Sequence, residues 1–442
     1  MKKTTNRRNF ITKTVSSGVA LTLGGTLLSL NTAQASENNK RDLSNLIIDP
    51  NGLCDLPKEF TYKVISKHGE TMSDGHIVPD KHDGMDCFVA TNGDIVLVRN
   101  HEIGLNLFNN DMSPEPELAY NKNVSGGCTT IWLDKDMNVK KHYLSLTGTI
   151  RNCSGGKTPW NSWISCEEVS EGFGAGWEYG EKRHGYAFEV DPFKPLQKSE
   201  PLKAMGRFRR EAVAIDSKSG VVYQTEDDMK GCFYRFIPNV NDKLAQGGKL
   251  QALKFVDENI KHTSKNPLEI GIKYACDWVT IDEPDPEKNT VRIQAKDKGA
   301  AVFVRGEGIV AHSDGIYFAC TSGGAAQIGQ FFKYTPNKDN LSGTIELVYE
   351  AKDNSIMDSP DNITLNKWGD LIICEDNSQK KNCLIGLTPE GKHYYIAANY
   401  QSEWAGACFS SDGNTLFVNI HKEPGMTLAI QGPWQKLRNS PI

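Results

Sequence analysis

Acidic side chains recur at the start of short apolar segments along this 442-residue chain. Glu211 precedes one such segment, which turns at Gly220, and a second apolar segment then runs to Glu226. This pattern is typical of two short strands joined by a turn. It recurs five more times, with turns near residues 93, 162, 315, 369 and 413. The first of these copies is aligned on Asp86 and the last on Glu403.

A two-strand unit repeated six times predicts an all-β fold, a six-bladed β-propeller with insertions. In a propeller the first strand of each blade lines a central channel, so the residues that begin those strands converge at one rim. They are Cys153, Glu211, Glu307 and Asp361, and the acids that end the second strands, Glu102, Glu168, Glu226 and Glu375, are expected beside them. Any one acid could be a solvated turn residue. Carboxylates packed together repel unless cations neutralise them, so their recurrence predicts a metal cluster in the channel.

Cys153 differs from the other cysteines of the chain. The eleven cysteines include no CxxC motif and no zinc-type spacing with histidine. Most of them lie in apolar, strand-like segments and are expected to be buried core thiols. Cys153 instead lies in the loop sequence Arg-Asn-Cys-Ser-Gly-Gly, at the offset where other repeats carry a carboxylate. It is therefore the candidate thiolate ligand.

Two polar positions near the predicted rim could contact an anionic substrate. Arg305 lies two residues before Glu307, and a guanidinium binds phosphate or carboxylate with two parallel hydrogen bonds. Asn100 precedes His101 and Glu102 at the end of a predicted second strand and could form a polar shelf. The alternatives are a surface arginine and an ordinary turn.

The N-terminus predicts a twin-arginine signal peptide over residues 1–35. Arg7-Arg8 precedes an apolar stretch from about Val15 to Leu30, and Ala33-Gln34-Ala35 is a cleavage motif. We expect the twin-arginine translocase to export the folded chain, which would be periplasmic or secreted and not stably membrane-associated after processing. Residues 36–442 are expected to form a single domain whose largest insertion, at about 240–300, is a polar surface excursion.

Charge argues against nucleic-acid binding. Removing residues 1–35 takes away five cationic side chains and no acid, so the formal net charge of −5 becomes −10. Nucleic-acid binding depends on cationic surface, which an acidic chain of this kind does not offer. We therefore expect a small-molecule partner rather than a nucleic acid.

Taken together, these segments resemble the PhoX-type alkaline phosphatases, a family exported by the twin-arginine route and dependent on calcium and iron. The resemblance covers nearly the whole chain after the signal peptide and implies a six-bladed propeller with both metals in its channel. The matching segments are RRNFITK, NHE, GGCTT, NCSGGKTPWNSWISCEE, GRFRREAVAID, YQTEDD, RGEG, SPDNITLNKWGDLIICEDN and EWAGACFSSDGNTLFVNIH.

The resemblance also implies roles for individual residues. Cys153 matches the family's iron-ligating cysteine, and Glu211, Glu307 and Asp361 match further cluster ligands. We assign Glu168, Glu226 and Glu375 as calcium ligands. Asn100 and Arg305 match positions expected to contact the phosphate group. The expected cofactors are thus iron (Fe³⁺) and calcium (Ca²⁺).

The predicted function is hydrolysis of phosphomonoesters with release of inorganic phosphate. Iron suits activation of the nucleophile, whereas calcium suits charge neutralisation. No Ser-His-Asp signature is evident, so we expect no covalent serine intermediate. One alternative is a calcium-dependent propeller lactonase or esterase with His101 as its base. Another is a non-catalytic exported binding propeller. A thiolate at Cys153 would have no purpose in a lactonase, and a binding propeller would need neither Cys153 nor Arg305.

Overall fold

The computed structural model describes residues 41–104, 115–169, 182–198, 200–266, 268–377, 381–400, 402–422 and 424–440. The predicted signal peptide, residues 1–35, lies outside this part of the chain. Residues 42–442 form one compact unit. Its secondary structure is almost entirely β, as the sequence predicted.

The elements are numbered along the chain. The strands are β1 (Leu46–Ile47), β2 (Leu56–Pro57), β3 (Thr61–Lys67), β4 (His82–Val89), β5 (Ile95–His101), β6 (Gly126–Leu133), β7 (Val139–Thr149), β8 (Asn152–Lys157), β9 (Trp163–Glu167), β10 (Ala187–Val190), β11 (Arg210–Ile215), β12 (Val222–Glu226), β13 (Tyr234–Pro238), β14 (Gly248–Phe255), β15 (Lys273–Thr280), β16 (Gly306–His312), β17 (Gly315–Cys320), β18 (Gln330–Pro336), β19 (Gly343–Glu350), β20 (Pro360–Leu365), β21 (Leu371–Glu375), β22 (Asn382–Leu387), β23 (His393–Asn399), β24 (Trp404–Phe409), β25 (Thr415–Ile420) and β26 (Met426–Gln431). The helices are α1 (Val291–Asp297), α2 (Trp434–Arg438) and two 3₁₀ turns, Lys203–Met205 and Leu244–Gln246. Within the described residues, no helix has the length and apolar character needed to cross a membrane.

The strands form antiparallel sheets in a propeller-like arrangement. Four sheets have the orders β4-β5-β6-β7, β8-β9-β10, β20-β21-β22-β23 and β24-β25-β26-β3. A nine-stranded sheet has the order β11-β12-β13-β14-β15-β19-β18-β17-β16, and β1 pairs with β2. The two ends of the chain meet because β3 pairs with β26. This pairing joins the N-terminal and C-terminal parts of the described chain in one sheet.

Residues 240–300 are more than a surface excursion. They supply β14 and β15, and β15 joins β14 to β19 within the nine-stranded sheet. Cys276 and Trp278, both on β15, are buried in a hydrophobic core cluster. This segment therefore contributes to the core, which its polar composition did not indicate.

All six predicted two-strand units are present, and their first strands contact one another in a closed cycle. The cycle runs β4, β8, β11, β16, β20, β24 and back to β4. Each of these six first strands carries a β-bulge near its start. The first residue of each strand pairs with the last residue of the next strand in the chain. Arg210 pairs with Glu226 in this way, and Pro360 pairs with Glu375. The repeated bulge gives the second residue of each first strand a common orientation.

Apolar side chains between neighbouring sheets hold this cycle together. Ile372, Leu384 and Ile396 of one sheet share a buried cluster with Leu416 and Leu428 of the next. Near the cycle's axis the strands approach so closely that only glycine fits. A β-carbon added to Gly156 on β8 would lie 2.0 Å from the carbonyl oxygen of Val213 on β11.

We therefore expect Gly156→Ala to lower the free energy of unfolding by about 1–3 kcal/mol or more, because backbone must move to admit the methyl group. Gly369→Ala is the matched control. Its added β-carbon would meet nothing within 4 Å, although its φ of +82° leaves some backbone strain. Denaturant unfolding of both variants measures the difference. Equal destabilisation would contradict the close approach of β8 and β11.

Candidate metal centre

A polar cavity of about 350 Å³ lies at the end of the cycle where the first strands begin. Every side chain that lines it is acidic, basic, a histidine or a cysteine. The lining residues are Lys81, Asp83, Glu102, Arg151, Cys153, Glu168, Arg209, Glu211, Asp227, Arg305, Glu307, Asp361, Asp376, Glu403, His421 and Lys422. The cavity is therefore lined entirely by ionisable side chains.

The first strands supply one set of these residues by a simple rule. The second residue of β4, β8, β11, β16 and β20 faces the cavity. In chain order these residues are Asp83, Cys153, Glu211, Glu307 and Asp361. The corresponding residue of β24 is Ala405, so this strand offers no ligand at that position. Four of the five were predicted from the sequence.

The second strands supply another set by a different rule. The residue that follows the last residue of β5, β9, β12, β21 and β25 lines the cavity. In chain order these residues are Glu102, Glu168, Asp227, Asp376 and His421. Sequence analysis assigned only Glu168 of this set as a ligand.

The structure brings five predicted ligands together in two overlapping groups. The candidate ligand atoms of Cys153, Glu168 and Glu211 lie within 4.8 Å of one another. The same is true of Glu211, Glu307 and Asp361, so Glu211 belongs to both groups. All five side chains are buried or nearly so. This spacing is what a shared pair of cations requires.

Glu226 and Glu375 do not reach the cavity, and their assignment as ligands is corrected here. Successive strand residues point to opposite faces, so Asp227 and Asp376 face the cavity and their predecessors face away. The Glu226 carboxylate accepts hydrogen bonds from Tyr234 Oη (2.7 Å) and the Cys232 amide (3.1 Å). The Glu375 carboxylate accepts from the amides of Asp358 (2.7 Å) and Cys383 (2.9 Å). Both glutamates thus fix connections within their own sheets.

Asn100 also lies outside the cavity, which corrects its predicted contact with substrate. Its Nδ2 donates to the carbonyl oxygens of Cys153 (3.1 Å) and Ser154 (2.7 Å). Its Oδ1 accepts from Trp163 Nε1 and Ser165 Oγ, both at 2.9 Å. The side chain is fully buried and has no remaining donor to offer. Asn100 therefore positions the strand that carries Cys153.

Asp86 is not the acid that begins the first repeat. It lies three residues beyond Asp83, which occupies the equivalent position on β4. Asp86 instead lines a separate cavity, together with Lys157, at the far ends of the first strands.

Three arginines lie at the rim, each immediately before a first strand. Each one joins two carboxylates that come from neighbouring strand pairs. Arg305 donates from Nε to Asp227 Oδ1 (2.7 Å) and from Nη2 to Glu307 Oε1 (2.8 Å). The three connections are Glu102–Arg151–Glu168, Glu168–Arg209–Asp227 and Asp227–Arg305–Glu307. The arginine side chains remain 26%, 30% and 34% exposed, so one edge of each faces the opening.

Charge in the cavity is unbalanced despite these arginines. Nine carboxylates line it against five lysine and arginine side chains. Burial, together with Glu307 and Asp361, raises the pKa of Glu211 well above its ordinary value. Burial and Asp376 raise the pKa of Asp361 to about 8. In the absence of cations Asp361 therefore holds a proton at neutral pH.

Cys153 experiences the same field. Burial and the nearby Glu211 and Glu168 raise the pKa of its thiol well above the ordinary value. Its Sγ lies 3.4 Å from the carbonyl oxygens of Arg210 and Glu211. The thiolate would form here only with strong compensation from a bound cation.

The donor atoms fit metals of two kinds. One sulfur with carboxylate oxygens, as in Cys153, Glu168 and Glu211, suits a transition metal. An all-oxygen group, as in Glu211, Glu307 and Asp361, suits calcium. An all-β, propeller-like chain with such a site at one end of its channel has the features of a metal-dependent hydrolase.

Comparison with known proteins identifies the family. The family model described as alkaline phosphatase PhoX matches residues 42–141 and 133–425. The chain therefore belongs to the PhoX alkaline phosphatase family, which confirms the resemblance drawn from the sequence. Its activity is accordingly that of a phosphatase. A search of curated protein sequences gave no match.

A solved structure of PhoX shows the shared fold. Pseudomonas fluorescens PhoX in complex with vanadate, a transition state analogue, is 19% identical, with a TM-score of 0.67 over 86% of this chain and 96% of that one. A gluconolactonase from Xanthomonas campestris is 9% identical, with a TM-score of 0.39 over 89% of this chain and 97% of that one.

We expect Glu226→Gln to affect stability and Glu211→Gln to affect metal binding. Glu226→Gln weakens two buried hydrogen bonds and lowers the free energy of unfolding by about 1–3 kcal/mol, with bound metal unchanged. Glu211→Gln lowers bound metal, because both candidate groups include this residue. Elemental analysis and denaturant unfolding of each variant provide the measurements. Loss of metal in Glu226→Gln would restore the original assignment.

The metal-free protein is expected to lose stability as pH rises. In the folded chain the pKa of Asp361 is about 8, against an ordinary value of 3.8. Between these values the folded state binds a proton that the unfolded state has released, so the free energy of unfolding falls with rising pH. We expect the Tm of chelator-treated protein to fall between about pH 5 and about pH 8. The non-titrating Asp361→Asn variant serves as control, and an equal fall in both proteins would contradict this origin.

Proposed function

We propose that this chain hydrolyses phosphomonoesters at a mixed iron and calcium site and releases inorganic phosphate. The observation that carries the proposal is the convergence of Cys153, Glu168 and Glu211 beside Glu307 and Asp361, with ligand atoms within 4.8 Å in each group. Membership of the PhoX alkaline phosphatase family supports the reaction class. The combination of one thiol with several carboxylates supports the choice of metals.

Cys153, Glu168 and Glu211 are the proposed iron ligands, because a soft sulfur donor favours iron over calcium. Glu211, Glu307 and Asp361 are the proposed calcium ligands, and Glu211 would serve both ions. Cations held by these residues would supply Lewis acidity for polarising a phosphoryl group and for activating a nucleophile.

Arg305 is proposed to orient the phosphoryl group. Asp227 accepts from its Nε (2.7 Å) and Nη2 (3.2 Å), and Glu307 accepts from the same Nη2 (2.8 Å). The guanidinium is therefore fixed before substrate arrives, while the side chain stays 34% exposed at the mouth. A preorganised cation stabilises charge that develops on phosphoryl oxygens without reorganisation at the moment of reaction.

The residues that line the cavity bear on the nature of the nucleophile. Among the described residues that line it, none is a serine or threonine. Hydrolysis is thus proposed to proceed without a phosphoserine intermediate. The acids are also buried, so charge interactions among them are stronger than they would be in bulk water.

Two features of chain organisation are also proposed. The cycle of six first strands supports a propeller of six blades. In this interpretation the nine-stranded sheet contains two blades, β11–β14 and β16–β19, which are joined edge to edge through β15. Residues 36–442 would then be one propeller domain with its channel carrying the metals. Residues 1–35 are proposed as a twin-arginine signal that sends the loaded enzyme to the periplasm or beyond.

The lactonase alternative loses its proposed base. His101 is fully buried on β5, outside the residues that line the cavity. Its Nδ1 contacts the Asp80 carbonyl oxygen and its Nε2 contacts Thr129 Oγ1, both at 2.9 Å. Both ring nitrogens are therefore engaged within the fold. A binding propeller, the other alternative, would show no turnover in the assay below.

The decisive variant is Cys153→Ala in the exported, metal-loaded chain. We expect loss of iron, loss of thiolate-to-iron absorption in the visible spectrum, and retained calcium. Hydrolysis of a phosphomonoester should fall by about 100-fold or more, which corresponds to the several kcal/mol that a catalytic metal supplies.

Cys166→Ala is the matched control, because this thiol is also buried but does not line the cavity. It should keep iron, colour and turnover. Calcium without iron in the wild-type chain would refute the mixed-metal site. Absence of phosphatase turnover in iron-loaded protein would instead refute the reaction.

A further inference from the structure

A second cavity, of about 590 Å³, lies at the ends of the first strands that are remote from the metal centre. We call it the far cavity. All six first strands contribute to its lining, and none of its lining residues also lines the cavity of the metal centre. Its volume lies within the usual range for sites that bind small molecules.

Close approach of the first strands separates the far cavity from the metal centre. A β-carbon added to Gly84, which directly follows Asp83, would lie 2.5 Å from Ser154 Cα. A β-carbon added to Gly406 would lie 2.3 Å from the carbonyl oxygen of Asp83. Backbone therefore packs against backbone just beyond the candidate metal ligands, and the far cavity is a distinct compartment.

Four charged side chains line the far cavity, and none of them forms a salt bridge within the described residues. They are Asp86, Lys157, Asp216 and Lys218. At the metal centre, by contrast, each rim arginine joins two carboxylates. The far cavity thus offers two negative and two positive groups whose charges no direct contact compensates.

Asp86 and Lys157 belong to the neighbouring first strands β4 and β8. Asp86 Oδ1 accepts from the Cys87 amide at 2.6 Å, and Asp86 Oδ2 accepts no hydrogen bond from any described residue. Lys157 Nζ donates to the Cys87 carbonyl oxygen at 2.6 Å and keeps two further N–H groups. Burial raises the pKa of Asp86 and Lys157 lowers it, so the two charges interact without touching.

The remaining lining combines a buried hydroxyl with apolar side chains. Ser154 is 8% exposed and lines the far cavity, and its Oγ forms no hydrogen bond with the part of the chain that the structure describes. Because buried polar groups are normally hydrogen-bonded, this hydroxyl needs a partner inside the cavity. Val213, Ile309 and Ile363 contribute an apolar wall. The far cavity therefore has the mixed lining of a site for a small organic molecule.

We propose that the far cavity binds a small zwitterion of the α-amino acid class. The ammonium group of the ligand binds Asp86, its carboxylate binds Lys157, and its aliphatic side chain packs on the apolar wall. A simple anion or a simple cation would compensate only one of the two charges, whereas a zwitterion compensates both with charge-assisted hydrogen bonds. This site is independent of the proposed phosphatase chemistry.

L-leucine is the probe, and titration calorimetry of the metal-loaded chain measures its binding. We expect saturable binding at a single site, with no competition from millimolar inorganic phosphate, which is a ligand for the metal centre instead. N-acetyl-L-leucine lacks the ammonium group, and L-leucinamide lacks the carboxylate. Each should therefore bind about 10-fold more weakly than L-leucine, or weaker still.

Asp86→Asn and Lys157→Met should each weaken L-leucine binding by about 10-fold or more. Asp136→Asn and Lys135→Met are the matched controls, because both residues are exposed and lie outside the far cavity. They should leave the titration unchanged.

Absence of L-leucine binding would overturn the proposal, as would equal binding of the two analogues or displacement of L-leucine by phosphate. Binding that survives both Asp86→Asn and Lys157→Met would place L-leucine elsewhere and also overturn it. The analogue series uses the unaltered chain, so it decides the question even where a variant does not fold. None of these outcomes depends on phosphatase turnover.

Discussion

The rest of the structure depends on one electrostatic constraint, the burial of many like charges at one end of a channel. Nine carboxylates and a thiol line a single cavity, and five lysine and arginine side chains cannot balance them. The arginines at the rim reduce the repulsion by standing between carboxylates of successive strand pairs. The remaining acids keep protons or bind cations, because isolated buried charge is too costly to persist. A bound cation would relieve the repulsion that remains among these acids.

The backbone places these acids through two repeated devices. A bulge near the start of each first strand gives its second residue a common orientation, and antiparallel pairing brings the end of the next strand beside it. The strands then approach one another so closely at the axis that glycines such as Gly156 replace side chains. Hydrophobic packing between sheets supplies the energy that keeps the ring closed around the repulsive site. The stability of the scaffold and the chemistry of the site are therefore coupled.

Sequence analysis found the parts of the site that a repeat can reveal. Cys153, Glu211, Glu307 and Asp361 precede their turns by eight or nine residues, so the repeat predicted their convergence. Errors arose where that offset was ambiguous by a few residues. Asp86 was aligned in place of Asp83 because both precede the same apolar segment, and a bulge rather than the turn sets the register. His421 occupies, after β25, the position that acids hold after β5, β9, β12 and β21, so a pattern of acids does not reveal it.

At the ends of the second strands, a shift of one residue decides which of two adjacent acids faces the cavity. Glu226-Asp227 and Glu375-Asp376 offer two carboxylates each, and composition cannot say which one faces the cavity. The pleat decides, since the last strand residue turns toward its own sheet and accepts backbone amides, whereas the next residue turns toward the channel. Glu167 and Glu168 divide the same two roles, because Glu167 accepts the amides of Gly185 and Tyr186. In each pair, the first carboxylate accepts backbone hydrogen bonds that stabilise its own sheet, and the second carboxylate lines the cavity.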